Sequence, residues 1–368
     1  MKKVCVISPA AFPLIADISD RGVSGGAEIQ LVTLGFLFLE KGFSVSFIVN
    51  ESKPPMVEDI KGVRVFKSQL KHFGMSNLHL PFDILRFMRN LVKVDADVYL
   101  IKLPRHMLLP LGLYSKIFRK KIIFIGQVDA DADKSKLKKT DSRVASLMYN
   151  LGLKFIDAIA AQTDAQKKGF LQSFSGDVRV IRNILTMDVN PDSEKEDYVL
   201  WVGNSGVHKQ PELFLELAKV LPDIKFKMIM SPSAQRPDDA FIRRKLDEVP
   251  NLEFIGPVPF SQMPEYFSKA SLLVSTSYSE GFPNIFLQAW QFRTPTVSLN
   301  IDPDDVIQRF NLGLLSGSFE KLVEDVAMLH SDDSQRMEMG DNALQYTQQH
   351  HAKEVVIRQY LELFESLR

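Results

Sequence analysis

Short apolar runs rich in β-branched and aromatic residues recur along the chain, separated by longer stretches whose apolar positions fall three or four apart. The runs at 4–8, 44–50, 63–66, 98–101, 121–126, 158–161 and 178–181 predict strands. The stretches 27–40, 83–92, 143–154 and 164–174 predict helices between them. The rhythm restarts at 199–202, continues through a helix at 212–220, and has further strands near 225–229, 252–255, 272–275 and 296–299. Such alternation predicts an α/β fold whose parallel sheets carry helices on both faces.

Between the two series, Asn190-Pro-Asp-Ser-Glu-Lys-Glu-Asp197 is polar, acidic and without apolar period, and reads as a linker. The chain is therefore expected to form an amino-terminal domain over 1–190 and a second over 191–351. The tail 352–368 has Val355, Val356, Tyr360, Leu361 and Phe364 on one helical stripe, and is expected to pack back on the first domain. Two doubly wound domains facing each other would set the carboxyl ends of both sheets around one cleft, where ligands of open α/β sheets bind.

Composition changes this picture little. A length of 368 residues suits two cores, and 45% hydrophobic with 24% charged residues is the balance of a soluble globular protein. The single cysteine, Cys5, excludes an internal disulfide framework and fits a reducing compartment, so a cytoplasmic location is expected. The opening MKKVCVISPAAFPL reads as a first strand and turn, because Pro9, Pro13, Asp17 and Asp20 interrupt what would otherwise resemble a signal peptide. The apolar stretch 98–118 holds Lys102, Pro104, Arg105, His106 and Lys116, and is not read as a membrane span.

Charge changes it more. The net charge is zero, but residues 1–190 carry 28 Lys+Arg against 18 Asp+Glu, and residues 191–368 carry 17 against 27. A basic first half can meet an anionic partner such as a membrane surface or lipid diphosphate; equally, the two halves can attract each other. Arg86, Arg89, Lys93 and Arg105 interleave with Phe82, Leu85, Phe87, Met107 and Leu108. That pattern suits peripheral membrane contact at the inner face of a membrane, and it suits amphipathic helices packed on their own sheet. No nucleic-acid module, zinc spacing, Walker loop or G-x-S-x-G elbow is present.

Three segments can carry chemistry. Val23-Ser-Gly-Gly-Ala-Glu-Ile-Gln30 joins the first strand to the first long helix, and Gly25 and Gly26 permit close approach of a ligand to a helix amino terminus. Trp201-Val-Gly-Asn-Ser-Gly-Val-His-Lys-Gln-Pro211 follows the first strand of the second domain; Gly203 and Gly206 free the loop and Lys209 supplies a compact cation. Ser275-Thr-Ser-Tyr-Ser-Glu-Gly-Phe-Pro-Asn-Ile-Phe-Leu-Gln-Ala-Trp290 runs from a strand end through a turn at Glu280-Gly281 into a helix with Pro283 at its first position. Glu280 can accept hydrogen bonds from sugar hydroxyls, and free N–H groups at the helix start can hold phosphate oxygens.

Together these segments resemble the large retaining nucleotide-sugar glycosyltransferase family 4 (glycosyltransferase group 1), which includes glycogen synthase-like and sucrose synthase-like enzymes. The resemblance implies the GT-B fold, two Rossmann-like domains with parallel sheets facing across a cleft that closes on the donor. It is most specific in Ser279-Glu-Gly-Phe-Pro-Asn284, Ala289 and Pro295-Thr-Val-Ser298; Gly25-Gly26-Ala27-Glu28 and Gly203 with Lys209 are similar to its two glycine loops. The resemblance implies a donor set of Gly25, Gly26, Gly203, Asn204, Lys209, Glu280, Gly281, Phe282, Pro283, Asn284 and Gln288. Lys209 would contact the donor diphosphate, Glu280 the sugar hydroxyls, and Gln288 the ribose.

The chain departs from the family at three places. Asn204 stands where arginine is usual, Gln288 where a second glutamate is usual, and Ile125-Gly-Gln-Val-Asp-Ala-Asp131 holds no histidine. Asp129 and Gln127 are the candidates for a polar helper at the acceptor, with Asp129 counted among the catalytic candidates beside Lys209 and Glu280; Arg105 and Asp131 are further acceptor-side candidates. Asp129-Ala-Asp-Ala-Asp133 lacks the glycine and glutamate of a calcium loop, with Lys134 and Thr140 in those places, so no metal and no cofactor are expected. The activity implied is sugar transfer from a nucleoside diphosphate to a glycan or lipid-linked acceptor with retention, in cell-surface polysaccharide or glycoconjugate synthesis. A nucleotide-sugar epimerase of similar fold and a non-catalytic sugar-nucleotide-binding subunit are the alternatives.

Overall fold

A computed structural model of the protein describes residues 2–18, 25–68, 80–102, 105–126, 129–132, 143–187, 195–233, 236 and 240–367. It divides into two compact units, residues 1–184 with 353–368, and residues 185–352. The proposed linker at 190–197 lies mostly outside the described residues.

The first unit is built on an eight-stranded sheet: β1 (Lys3–Ile7), β2 (Ser44–Val49), β3 (Val57–Ile60), β4 (Val63–Lys67), β5 (Val98–Ile101), β6 (Lys121–Ile125), β7 (Ala158–Ala161) and β8 (Asp177–Val180). Their order is β3-β4-β2-β1-β5-β6-β7-β8. The main helices are α1 (Gly26–Glu40), α2 (Leu80–Val94), α3 (Leu108–Phe118), α4 (Arg143–Gly152) and α5 (Asp164–Leu171). Strands covered on both faces read as continuous apolar runs, which is why the pattern displays them so clearly. Alternate β1 side chains enter opposite cores: Val4 and Val6 pack towards α1, Cys5 and Ile7 towards α2, α3 and α4. Burial pushes the Cys5 thiol up, away from reactive thiolate.

The sheet is not wholly parallel. Edge strand β3 runs antiparallel to β4, with Ile60 opposite Val63 across a two-residue turn. Lys61 and Gly62 both take positive φ there, the geometry that two-residue hairpins favour. The sequence Val-Glu-Asp-Ile is too short and too charged to announce a strand; its pairing with β4 creates it.

The second unit carries β9 (Tyr198–Asn204), β10 (Lys225–Ser231), β11 (Leu252–Phe254), β12 (Leu272–Ser275), β13 (Thr296–Ser298) and β14 (Gly313–Leu315), ordered β11-β10-β9-β12-β13-β14 and all parallel. Helices α6 (Pro211–Val220), α7 (Met263–Lys269), α8 (Asn284–Trp290), α9 (Phe319–Ser331) and α10 (Asp333–His351) complete it. The three-residue β14 is Gly-Leu-Leu, with no β-branched or aromatic residue to announce a strand.

Helix α11 (Lys353–Ser366) belongs to the first unit, packing against α1. Phe364 stacks on Phe38 with ring centroids 5.0 Å apart, and Tyr360 meets the same ring edge-on. Its buried stripe is Val356, Ile357, Tyr360, Leu363 and Phe364. Gln30, buried in α1, holds the backbone where the chain leaves this unit: its amide donates to the Ile184 carbonyl at 2.8 Å and accepts from the Ile184 N–H at 2.6 Å.

Because Phe364 is 2% exposed in this aromatic cluster, Phe364→Ala should cost about 3–5 kcal/mol of first-unit stability. Urea unfolding followed by far-ultraviolet dichroism measures it, and a loss below about 1 kcal/mol would mean that α11 is not part of that core.

Candidate functional site

In the second sheet the chain goes from β9 outward to β10 and β11, then returns to lay β12 on the other side of β9. The topological switch point therefore lies between β9 and β12, where open α/β sheets bind ligands beyond the carboxyl ends. Leu272 pairs with Val199 and Leu273 with Leu200, so the loops after both strands emerge side by side.

The first loop is held tightly. Asn204 Oδ1 accepts the Gly206 N–H at 2.9 Å, and a side chain at Gly206 would press on that oxygen and on His208. A Cβ at Gly203 would meet the Trp201 ring at 2.7 Å, so close packing requires glycine there. A 3-10 turn, Val207–Lys209, leads through Gln210 in left-handed conformation to Pro211 at the first position of α6.

The second loop is stitched to the first by polar contacts. Thr276, fully buried, donates to the Lys209 carbonyl at 2.6 Å and accepts from Trp201 Nε1 at 3.0 Å. The Tyr278 N–H donates to the His208 carbonyl at 3.0 Å. These bonds fix the backbone on which Lys209 and Glu280 stand. The two side chains meet: Lys209 Nζ lies 2.5 Å from Glu280 Oε1, each side chain 15% exposed. The contact is an ion pair outside hydrogen-bond angles, and Glu280 Oε1 accepts no hydrogen bond from a described residue. The Lys209 ammonium compensates this carboxylate, which keeps acceptor capacity that a ligand hydroxyl would take up. His208 borders the pair; burial pushes its imidazole below the ordinary value, Lys209 acts in the same direction and Glu280 against it. Burial therefore favours the neutral ring.

The remaining predicted donor residues separate by role. Phe282 is 4% exposed, in edge contact with Trp290 and 5.0 Å from the His351 ring, so its side chain anchors the loop in the core. Gly281 and Pro283 are buried beside it. Pro283 is the N-cap of α8 and not its first helical residue, because its ψ of 119° is extended. Asn284 opens the helix, and Gln288 lies one turn deeper, 7% exposed. Asn204 Oδ1 is engaged within its own loop by the Gly206 N–H.

In the first unit, the switch point lies between β1 and β5. Gly25 and Gly26 stand at the head of α1, and a side chain at Gly25 would meet the Glu28 carboxylate at 2.7 Å. Immediately after β5 comes Lys102, which is 3% exposed. Burial lowers its amine to about 8, while Glu28 and Asp131 act in the opposite direction. Glu28 is in turn raised by burial, with Lys102 opposing. Asp131, an acceptor-side candidate, is 3% exposed and part of this cluster. Arg105 begins a 3-10 turn and Asp129 a short helix, but their side chains lie outside the described residues, as does Gln127 altogether. Lys102 enters the sequence reading only as a residue that interrupts a membrane span; a lysine directly after the all-apolar strand Val-Tyr-Leu-Ile was the signal for a buried cation at the sheet's carboxyl end.

Because the Lys102 amine is depressed on folding, the folded state holds fewer protons than the unfolded chain between about pH 8 and the ordinary lysine value. Its charging cost is present below pH 8 and relieved as pH rises through that window. The relief amounts to about 3 kcal/mol. Urea midpoints should therefore rise from pH 8 to 10 in the wild type and rise less in Lys102→Met. Parallel profiles would show that Lys102 keeps an ordinary titration.

Residues 185–346 match the family model described as Glycosyl transferases group 1. The chain is 24% identical over 338 residues, covering 88% of it and 90% of the relative, to the Campylobacter jejuni protein named GalNAc-alpha-(1->4)-GalNAc-alpha-(1->3)-diNAcBac-PP-undecaprenol alpha-1,4-N-acetyl-D-galactosaminyltransferase. Its fold is similar to sucrose-phosphate synthase from Thermosynechococcus elongatus, with a TM-score of 0.77 and 17% identity over 100% of this chain and 99% of that one. It is also similar to Anabaena HepE solved with UDP and glucose, with a TM-score of 0.72 and 14% identity over the full length of both chains. Residues 185–346 are thus a group 1 glycosyltransferase domain, and the chain is a glycosyltransferase of the GT-B fold.

Proposed function

We propose that the donor is a nucleoside diphosphate sugar seated at the switch point of the second sheet, with Lys209 and Glu280 at its two chemically distinct parts. The observation that carries this reading is the Lys209–Glu280 ion pair, held on two stitched loops at the carboxyl ends of β9 and β12. Without donor, the two charges neutralise each other. A bound donor exchanges both partners: its diphosphate replaces Glu280 as counterion of Lys209, and sugar hydroxyls donate to the carboxylate. Gln288, and the Gly203 and Gly281 backbones, line the same loops and helix and would hold the nucleoside and phosphate.

The chemical difficulty is negative charge growing on the diphosphate as the anomeric carbon–oxygen bond breaks. A positioned ammonium stabilises that charge more in the transition state than in the bound donor. In this reading Lys209 meets the leaving diphosphate and no metal ion is required. The acceptor hydroxyl oxygen bonds the anomeric carbon as that carbon's bond to the diphosphate oxygen breaks, and the hydroxyl proton passes to the departing diphosphate. We assign transfer with retention, on the resemblance of the Glu280 motif, to a glycan or lipid-linked acceptor at the inner, cytoplasmic face of a membrane. The named Campylobacter relative and the UDP-bound Anabaena structure support a nucleotide-sugar donor and a polyprenol-linked glycan.

Lys209→Ala should lower nucleoside diphosphate release from a panel of nucleotide sugars by about 100-fold or more. Turnover within threefold of wild type would place the leaving-group cation elsewhere. Glu280→Gln should separate the two roles: sugar transfer falls, while calorimetry shows free UDP binding at least as tightly, because Lys209 has lost its internal counterion. Weaker UDP binding in that variant would contradict the exchange of partners. The anomeric configuration of any product, read by proton NMR, tests retention directly.

A further inference from the structure

Between the end of β12 and the start of α8, the second loop of the candidate site is mostly enclosed. Thr276 and Ser277 are buried, as are Gly281, Phe282 and Pro283. Tyr278 and Ser279 are the exposed residues, and Tyr278 is 53% so. It stands apart from the other tyrosines of the chain: of eight, six are at most 4% exposed and Tyr266 is half-buried against the core. A single exposed apolar side chain is ordinary on a protein surface. This one is distinguished by how it is held and by what stands beside it.

The Tyr278 N–H donates to the His208 carbonyl at 3.0 Å, next to the bond by which Thr276 ties the same two loops. The backbone under the ring is therefore fixed. Tyrosine has two side-chain torsions, so a ring on a fixed backbone loses little freedom when a ligand covers it. Val207, 46% exposed, directly precedes His208 on the first loop. Apolar side chains thus stand outward on both of the loops that carry the Lys209–Glu280 pair. Glu280 follows Tyr278 by two residues, which span at most about 7 Å of chain, so a ligand held at the carboxylate is within reach of the ring.

These neighbours select a ligand chemistry. A pyranose carries hydroxyls round its edge and C–H groups on its faces. A carboxylate accepts hydrogen bonds from the edge, and the negative face of an aromatic ring takes the C–H groups. Glu280 supplies the first and Tyr278 the second. A nucleobase also stacks on aromatic rings. In the proposed donor arrangement, however, the base lies across the diphosphate from Glu280, whose loop carries the ring.

We propose that Tyr278 is the platform for a hexopyranose at this site, its ring against the C–H face of the sugar, with Val207 at the platform's edge and Glu280 on the hydroxyls. The inference rests on the donor-site reading and adds to it the residue that recognises the sugar face. The pyranose has two sources, the sugar of the donor and the terminal sugar of the acceptor, and experiment separates them.

Calorimetry with the full chain compares the nucleotide sugar bound best in a donor panel with its free nucleoside diphosphate, and saturation-transfer NMR follows a set of methyl hexopyranosides. Tyr278→Ala should leave nucleoside diphosphate affinity within about twofold of wild type and weaken a pyranose ligand by about fivefold or more. Tyr278→Phe keeps the ring face and should stay within about twofold for every ligand. A loss confined to the nucleotide sugar identifies the donor's sugar as the occupant. A loss confined to a methyl hexopyranoside identifies the acceptor's. Equal weakening of nucleotide sugar and free nucleoside diphosphate would overturn the proposal, placing the ring under the base or in support of the loop. Unchanged affinity for both kinds of pyranose would overturn it too. If wild type binds no nucleotide at all, the donor-site reading fails by itself, and Tyr278 is judged on the methyl hexopyranosides: undiminished saturation transfer in Tyr278→Ala refutes the platform. A wild type that binds neither class refutes both.

Discussion

The pairing of β9 with β12 is the constraint on which the candidate site depends. Lys209 and Glu280 are 71 positions apart, yet two parallel strands with matched registers deliver their loops to one place. Thr276 then ties the loops together, accepting from Trp201 and donating to the Lys209 carbonyl. The ion pair is thus a product of sheet topology, secured by a buried hydroxyl, with neither charge contributing much to the fold itself. A half-buried pair of this kind gains modestly from Coulomb attraction against the desolvation of both partners. Its value lies in position, since both groups are held where a ligand can take them over.

The same topology operates in the first unit with a different chemical outcome. Lys102 stands beyond β5 at the switch point of its sheet, as Lys209 stands beyond β9, but it is nearly inaccessible and its proton is loosened by burial. Two carboxylates, Glu28 and Asp131, oppose that loosening. Parallel sheets concentrate polar groups at their carboxyl ends because strand interiors are closed to them on both faces. Each unit has used that freedom for a cation, exposed enough in one case to meet a ligand and enclosed in the other.

Opposite faces of the first sheet are covered in opposite ways. On one, α1 and α11 join through Phe38, Tyr360 and Phe364, sealing apolar surface inside the unit. On the other, α2, α3 and α4 seal the sheet but leave apolar side chains outside among cations. The charge asymmetry between the two halves of the chain concerns this surface in particular: acidic residues are all but absent from these helices, and the one present is buried.

Hydrophobic periodicity by itself determined the α/β class, twelve of the fourteen strands among the described residues and helices α1, α2, α4, α5, α6 and α11, because a strand covered on both faces must be apolar along its length; α3, α7, α9 and α10 were not among the expected elements. The strand-to-helix turn that carries Glu280 was legible as well, since glycine and proline between an apolar run and a helical pattern mark such a turn. The antiparallel edge strand β3 and the three-residue β14 were not, because their sequences acquire strand geometry only from their neighbours. Nor could local sequence distinguish Phe282, turned into the core, from Glu280 two positions earlier, turned towards Lys209. Tertiary structure decided which polar groups meet, that Asn204 serves its own loop, that Lys102 is enclosed, and which stripe of each amphipathic helix faces water. Each of those outcomes depends on contacts between residues far apart in the chain, and no pattern of neighbouring residues contains them.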